Sequence, residues 1–563
     1  MNRWLPLTAL ALAQFVMVLD QAVKNVSISQ LVEDFDTTVT TIQGVITLYS
    51  LVMAMFMLVG AKIGDIIGRR RAFIIGLVIY AVGSGLTAVS WSVASLTLGW
   101  SILEGLGAAL VLPALAALIA GNYEGKDRIT AYAIIGGVAG AGIAVGPIVG
   151  GWATTMLTWR VVFIGEVILV LMILALVRYV TEAQRAGRTP SLDIVGGALS
   201  AAGLGLIVFG ILQSSSWGLV YPVDPPIEIL GFSPVIFVIG AGVGLLYTFV
   251  RWSRRREAEG LDPLFRLDLL RVPVLRGGLA SLLSQNLVLM GIFFVIPLYL
   301  QLVLGLNALE TGIRMLPVSV TMFIASAAGS RLVERYSVRR IIRAGFLVVV
   351  VACVFLMSAI EPTLEGLVFA SAMALLGVGM GLLASQLGNV VQSSVDASGR
   401  SEAGGLQFTA QQLGSATGVA LVGAVVIAGL SASFVSIVSN DERISTEVVA
   451  AVTVELADGA EMMASEDLAV ALEDTSLDAE TQDALVEDYE VAQLQALRVG
   501  LLVSAIVALV ALMFTRELPS RRPEPRQAPL EEDADTDEEA PADDEAQADQ
   551  PAEPDQDSRP TVV

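Results

Sequence analysis

The sequence predicts an all-α polytopic membrane protein, and three observations carry that reading. Of its 563 residues 55% are apolar, with a mean hydropathy of +0.73. Apolar stretches of span length recur from Leu5 to Met513, and each crossing of a bilayer core needs about 20 such residues. The charge is also segregated: residues 431–495 hold 16 acids against Arg443, and residues 530–563 hold 14 against Arg559, so the remainder is mildly basic although the net charge is −22. A soluble chain of this length would show several cores joined by polar linkers. Nothing in the charge balance implies a nucleic-acid partner.

Fourteen spans fit the apolar runs, at 6–28, 42–63, 72–90, 95–119, 130–155, 161–180, 194–212, 233–251, 277–304, 312–333, 342–360, 365–387, 404–430 and 496–515. The first is a span rather than a signal peptide, because Asp20 and Lys24 interrupt it and no A-x-A cleavage site follows. An even count puts both termini on one side. If that side is the cytoplasm, 28 of the 33 basic residues lie on it, the asymmetry of the positive-inside rule. Residues 1–180 read as a six-span N-terminal bundle and 181–274 as two inserted spans with a linker. Residues 275–516 read as a six-span C-terminal bundle that includes the acidic extracytoplasmic loop 431–495, and 517–563 as a disordered acidic tail.

Within this plan, residues 252–276 mix Arg with Leu, Phe and Val, the pattern of an amphipathic helix on the inner membrane face. The acidic loop sets Val448, Val452 and Leu456 at helical spacing, as in a small helical cap, and its alternative is a solvated linker. One internal repeat is visible: Gly60-x4-Asp65-x4-Arg70-Arg71 matches Gly329-x4-Glu334-x4-Arg339-Arg340 at an offset of 269. Duplicated halves place a substrate site at mid-membrane between them.

Composition narrows the chemistry. His is absent and Cys353 is alone, so disulfides, zinc clusters and thiol pairs are excluded and a proton carrier must be a carboxylate or a less usual group. No nucleophile–base pair or metal constellation is evident, so neither an enzyme, a metal site nor a cofactor is expected. Gly121 to Lys126 lacks the spacing and the Ser/Thr of a phosphate-binding loop, which leaves an ion gradient as the energy source. Ionisable groups inside spans cost about 2.5–3.5 kcal/mol each at mid-span. Asp20 and Lys24 stand at i and i+4 in the first span, Glu104 lies in the fourth, and Asp20 and Glu104 differ in depth by only about 5 Å. The second half offers amides instead: Gln285, Asn286, Gln386, Asn389, Gln407 and Gln411, with Met290, Phe293, Phe294 and Phe408 as apolar partners. They suit substrate hydrogen bonding, or equally helix–helix contact.

Two motifs concern movement. In the turn from Gly60 to Arg71, Gly64 permits close helix contact and Gly68 a positive φ, while Asp65 with Arg69, Arg70 and Arg71 can pair with one another or with a helix terminus across the domain boundary. That makes a latch, or simply a topology signal. In the fifth span Gly142, Gly146 and Gly150 form a bare stripe for a close neighbour, and Pro147 before Gly150-Gly151 bends the helix.

These segments resemble motif A and motif C of the major facilitator superfamily. Leu19-Asp20 with Asn25-Val26, Trp159-Arg160, and Leu300-Gln301 through Gly312 to Pro317 extend the likeness to about Thr515. With fourteen spans the chain is similar to the drug:proton antiporter family of the EmrB/QacA type. Departures are Glu104 in Ser101-Ile-Leu-Glu104-Gly105, where the family has R-x-x-Q-G, Lys24 for an aliphatic residue, and Glu166 for Asn. The resemblance implies two rocking bundles with the first and fourth spans lining the central cavity. Asp20, Glu104 and Lys24 would then share one site, with Glu104 and Asp20 binding the coupling proton; the alternative is a structural Asp20–Lys24 pair beside a neutral Glu104. Glu166, near Arg160 on a span peripheral in that fold, reads as structural. The implied function is proton-coupled efflux of amphipathic drugs or toxic compounds by a monomer in a bacterial cytoplasmic membrane. Alternatives are export of a native lipid-like metabolite, symport or facilitation by the same fold, or a sensor or scaffold using the acidic loop and tail.

Overall fold

A computed structural model describes residues 4–23, 28–37, 39–182, 191–220, 222, 225–363, 365–396, 399–457, 462–473, 475 and 477–520. Lys24 and the acidic tail from 521 onward lie outside the described residues. Among those described the architecture is helical, with one isolated bridge between Ile229 and Phe232. The N-terminal half holds α1 (Leu5–Val23), α2 (Ile28–Asp34), α3 (Val39–Ile67) and α4 (Arg69–Ala88). Next, α5 (Val93–Leu96) runs through a π segment, Thr97–Glu104, into α6 (Gly105–Asn122) as one span, followed by α7 (Gly125–Met156) and α8 (Arg160–Leu176). Helices α9 (Ile194–Trp217) and α10 (Pro234–Ala258) lie between the two halves in the chain. The C-terminal half holds α11 (Pro273–Leu298), α12 (Ala308–Leu332), α13 (Val338–Ala359), α14 (Gly366–Ser393), α15 (Arg400–Val438), α16 (Thr446–Ala457), α17 (Ser465–Glu473) and α18 (Ala479–Phe514). Thirteen spans among the described residues are long and apolar enough to cross a membrane, and α1 adds a shorter apolar stretch, Leu5–Gln21. This is a multi-pass membrane protein.

The two halves repeat one packing scheme. A Cβ on Gly107 of α6 would meet the Gly76 oxygen at 2.8 Å and the Tyr80 nitrogen at 2.7 Å. On Gly379 of α14 it would meet the Gly345 oxygen at 2.9 Å and the Val349 nitrogen at 3.0 Å, the same contact 269 residues further along the partner helix. Only glycine lets these backbones approach so closely. The motif turns repeat as well: Arg70 Nε donates to the Val177 carbonyl at 3.3 Å, and Arg339 Nε to the Leu518 carbonyl at 2.8 Å. In each half the turn after the second span thus holds the end of the sixth.

The halves meet on the face that carries the arginine-rich turns, here the basic face. Helix α7 packs on α12 and α14, where Cβ atoms on Gly136, Gly137 and Gly140 would press on Ala384, Phe323 and Met322. Ser326 Oγ donates to the Ala133 carbonyl at 2.7 Å. Two arginines cross reciprocally: Arg128 Nε reaches Asn389 near the end of α14 at 3.2 Å, and Arg400 Nη1 reaches the Ala120 carbonyl near the end of α6 at 3.0 Å. Cationic groups at helix C-termini are favourable because the last carbonyls lack partners. Lys126–Glu334, at 2.9 Å, adds an exposed bridge of small energetic weight.

Two expectations need correction. Residues 252–276 form no amphipathic surface helix: α10 continues to Ala258, Gly260 ends it at φ 72°, and only a short 3₁₀ turn, Leu267–Arg271, precedes Pro273. The acidic loop is not a linker, since α15 extends to Val438, α18 begins at Ala479, and α16 and α17 lie between, with Tyr489 packed edge-on to Phe434 at 5.4 Å. Helical spacing of its apolar residues outweighs the local acidity once a packing surface exists. Helix α7 runs through Pro147 without a break. The Pro147 side chain is outside the described residues, whereas Gly146, Gly150 and Gly151 are buried.

Candidate functional site

The site begins with the π segment. Its wider turn departs from the surrounding α geometry, as π segments often do where a side chain must be re-aimed. Close packing makes room for it: a Cβ on Gly83 would lie 2.8 Å from both Cγ and N of Glu104, and one on Gly99 would lie 2.7 Å from Thr87 Oγ1. Trp100 and Glu104, both in this segment, therefore point into the core of the N-terminal half.

There Asp20 of α1, Glu104 and Glu166 of α8 converge, each with a carboxylate oxygen within 4.8 Å of the others. Their exposures are 1%, 0% and 1%. Trp100 Nε1 donates to Asp20 Oδ1 at 3.0 Å, and Tyr49 is buried in the same half. Glu166 Oε2 accepts from Ser84 Oγ at 2.8 Å and Tyr80 Oη at 3.1 Å. Carboxylates at this spacing repel one another when charged. Their oxygens also have the spacing of a hard-cation shell, although the sequence suggested no metal site.

Sequence reasoning paired Asp20 with Glu104, and the structure brings them together; whether Lys24 joins them lies outside the described residues. Glu166 is different from expectation. Arg160 pairs with Asp34 at 2.6 Å, not with Glu166, and Glu166, about two turns into α8, faces the core. Reasoning from the sequence missed Trp100, Tyr80 and Ser84 as donors. The available signal was i, i+4 spacing, Tyr80 with Ser84 and Trp100 with Glu104. Toward the other face, Asp34 accepts from Trp159 Nε1 at 2.8 Å and Arg160 stacks over Trp159 at 4.4 Å. The Trp159 hydrogen bond, aided by Arg160, holds the Asp34 carboxyl below its ordinary range.

The latch residues work largely within their own half. Gly68 takes φ 105°, Asp65 reaches Arg69 at 3.5 Å, and Glu182 accepts the backbone N–H of Arg69 at 2.8 Å and of Arg70 at 3.2 Å. Gly60 packs on α6, Gly64 is buried and Arg71 is exposed. Gly142 faces Val18 of α1, so the glycine-rich helix serves α1 on one face and the opposite half on another.

Three of the candidate substrate residues have protein partners. Gln386 donates to the Gly329 carbonyl at 3.0 Å and Asn286 to the Leu282 carbonyl of its own helix at 3.0 Å, while Asn389 accepts from Arg128. These three act as helix contacts. Gln285 and Gln407 are buried, and Gln411, Phe293 and Phe294 are half-buried, with Phe294 packed beside Gly423.

Comparison with known proteins agrees with this architecture. The chain is 30% identical over 460 residues to the probable actinorhodin transporter of Streptomyces coelicolor, covering 80% of this chain and 77% of that protein. It is 28% identical over 422 residues to the tetracenomycin C resistance and export protein of Streptomyces glaucescens, 75% of each. Among solved structures the human organic anion transporter MFSD10 (TETRAN) superposes with a TM-score of 0.57 at 14% identity, over 92% of this chain and 100% of that one. The family model described as Major Facilitator Superfamily matches residues 10–419, and the chain belongs to that superfamily.

Proposed function

We propose that the chain is a secondary exporter of amphipathic small molecules, driven by protons that bind the Asp20–Glu104–Glu166 trio. The observation that carries the reading is this set of three buried carboxylates from three helices of one half. Burying three acids together is costly unless their charge can change, and a group whose charge changes on one helix bundle is what couples ion movement to rocking. The printed names of the relatives, an antibiotic transporter and a resistance and export protein, favour export as the direction. One proton crossing 100 mV releases about 2.3 kcal/mol, enough for roughly a fortyfold solute gradient.

The halves are sealed along the basic face, which the positive-inside rule assigns to the cytoplasm. Export requires that this seal open to admit substrate, and protonation of the trio would bias the rocking by relieving its mutual repulsion. The test is Glu104→Gln in proteoliposomes, with proton release or uptake followed on substrate addition. Coupling should fall by roughly two orders of magnitude or more, the usual scale for a lost proton-transfer group. Unchanged coupling would reject the reading. Because the trio's spacing also suits a cation, a sodium gradient at fixed pH is the companion arm: transport driven by sodium alone would replace the proton with Na⁺.

A further inference from the structure

The geometry points to an anionic phospholipid binding site at the basic end of α10, where Arg251 and Arg254 hold the phosphate and the lipid-facing stripe above them holds the acyl chains. Helix α10 leans on α9 along one side only. Its register is fixed by that side: Phe249 and Ser253 are buried, Trp252 Nε1 donates to Asp193 Oδ1 at 3.0 Å, and Arg256 lies 3.7 Å from the same carboxylate. Helical periodicity then turns the other face outward. Val243 and Tyr247 are 55% and 62% exposed, and Arg251 and Arg254 continue their stripe at the next turns.

The arginines of this segment divide cleanly. Arg255 meets Glu259 at 2.9 Å, Arg266 meets Glu402 at 3.5 Å, Arg271 meets Asp268 at 2.8 Å, and Arg276 pairs with Glu517. Arg251 and Arg254 meet no acid among the described residues. Arg251 instead hydrogen-bonds the Tyr247 hydroxyl at 3.4 Å and lies 6.0 Å from the centre of that ring. Two guanidinium groups one turn apart at the end of a span, with no acid beside them among the described residues and next to an exposed tyrosine, are complementary to a phosphodiester at the membrane interface. A membrane supplies that anion together with chains to cover Val243 and Tyr247.

The experiment compares retention of phosphatidylglycerol and phosphatidylcholine by the full-length protein, using native mass spectrometry after extraction from vesicles containing both. Each interfacial arginine contributes about fivefold, so R251Q/R254Q should lose the phosphatidylglycerol preference by roughly twentyfold. R251K/R254K should keep most of it, which guards against a folding defect in the glutamine variant. The already paired R255Q/R271Q should change it little. Equal retention by wild type and R251Q/R254Q would overturn the site, as would an equal loss in R255Q/R271Q. Displacement of the lipid by millimolar inorganic phosphate would overturn the lipid assignment in favour of a free-anion site.

Discussion

The two halves share a backbone scheme but differ in what they bury. Gly76 and Gly107 in the first correspond to Gly345 and Gly379 in the second through the same close contact. Carried along those helices, Tyr80 and Ser84 correspond to Val349 and Cys353, and Glu104, where the π segment ends, to Leu376. All six are buried. At matched positions, then, one half holds an acid and donors for its acidic partners, while the other holds aliphatic side chains and a thiol. The scaffold needs only the glycines. Burying the polar set is costly, and the C-terminal half fills the matched positions without it.

The comparison can be broken at its strongest point by Leu376→Glu, which gives the C-terminal half the acid without its donors. Insertion and folding should lose about 2.5–3.5 kcal/mol, read as a large fall in the melting temperature of detergent-solubilised protein. An unchanged melt would mean that the two cores are equally permissive. A sharper contrast comes from the paired glycines Gly60 and Gly329. A Cβ on Gly60 would lie 2.2 Å from the Ala109 backbone oxygen, whereas one on Gly329 would meet the Ser385 side chain, Oγ at 2.2 Å and Cβ at 2.8 Å. A backbone carbonyl yields less readily than a side chain, so Gly60→Ala should cost about 1–3 kcal/mol and Gly329→Ala less. Equal melting shifts would show that the halves yield alike.

The smallest effect concerns the outer clasp of the first half. The pKa of Asp34 is lowered in the folded state by the Trp159 hydrogen bond, with Arg160 adding to it. Its contribution is therefore present above the unfolded carboxylate pKa and is lost as pH falls through the lower folded value. Asp34→Asn should cost a few tenths of a kcal/mol near neutrality, since the pair is about one-third exposed. That difference should vanish in acid. A melting difference that grows on acidification would contradict the assignment.

Much of this was legible beforehand for physical reasons. Apolar length marks the spans, arginine placement marks the basic face, and Gly60 and Gly329 with their acid and arginines mark the repeat, because each follows from local sequence. Asp20 and Glu104 stood out because charge inside a span is costly. Glu166 was harder: it lies seven residues into α8, and only the rotation of that helix decides whether it faces Arg160 or the core. The amides were ambiguous for the same reason, since Gln386 serves a substrate or the Gly329 carbonyl depending on which helix lies opposite. The helical spacing of Val448, Val452 and Leu456 in the acidic loop was legible, but the choice between a cap and a linker was not, because charge says how soluble a segment is and not what it packs on.

The sequence by itself determined the membrane class, the number of apolar runs, the duplicated plan and the small inventory of groups able to carry a proton, because these depend on transfer energies and on neighbours along the chain. Only the tertiary structure decided that three carboxylates from α1, the π segment and α8 meet within 4.8 Å, that Trp100, Tyr80 and Ser84 serve them, and that Arg251 and Arg254 meet no acid among the described residues. Those are outcomes of helix rotation and crossing, which are fixed by packing between segments far apart in the chain.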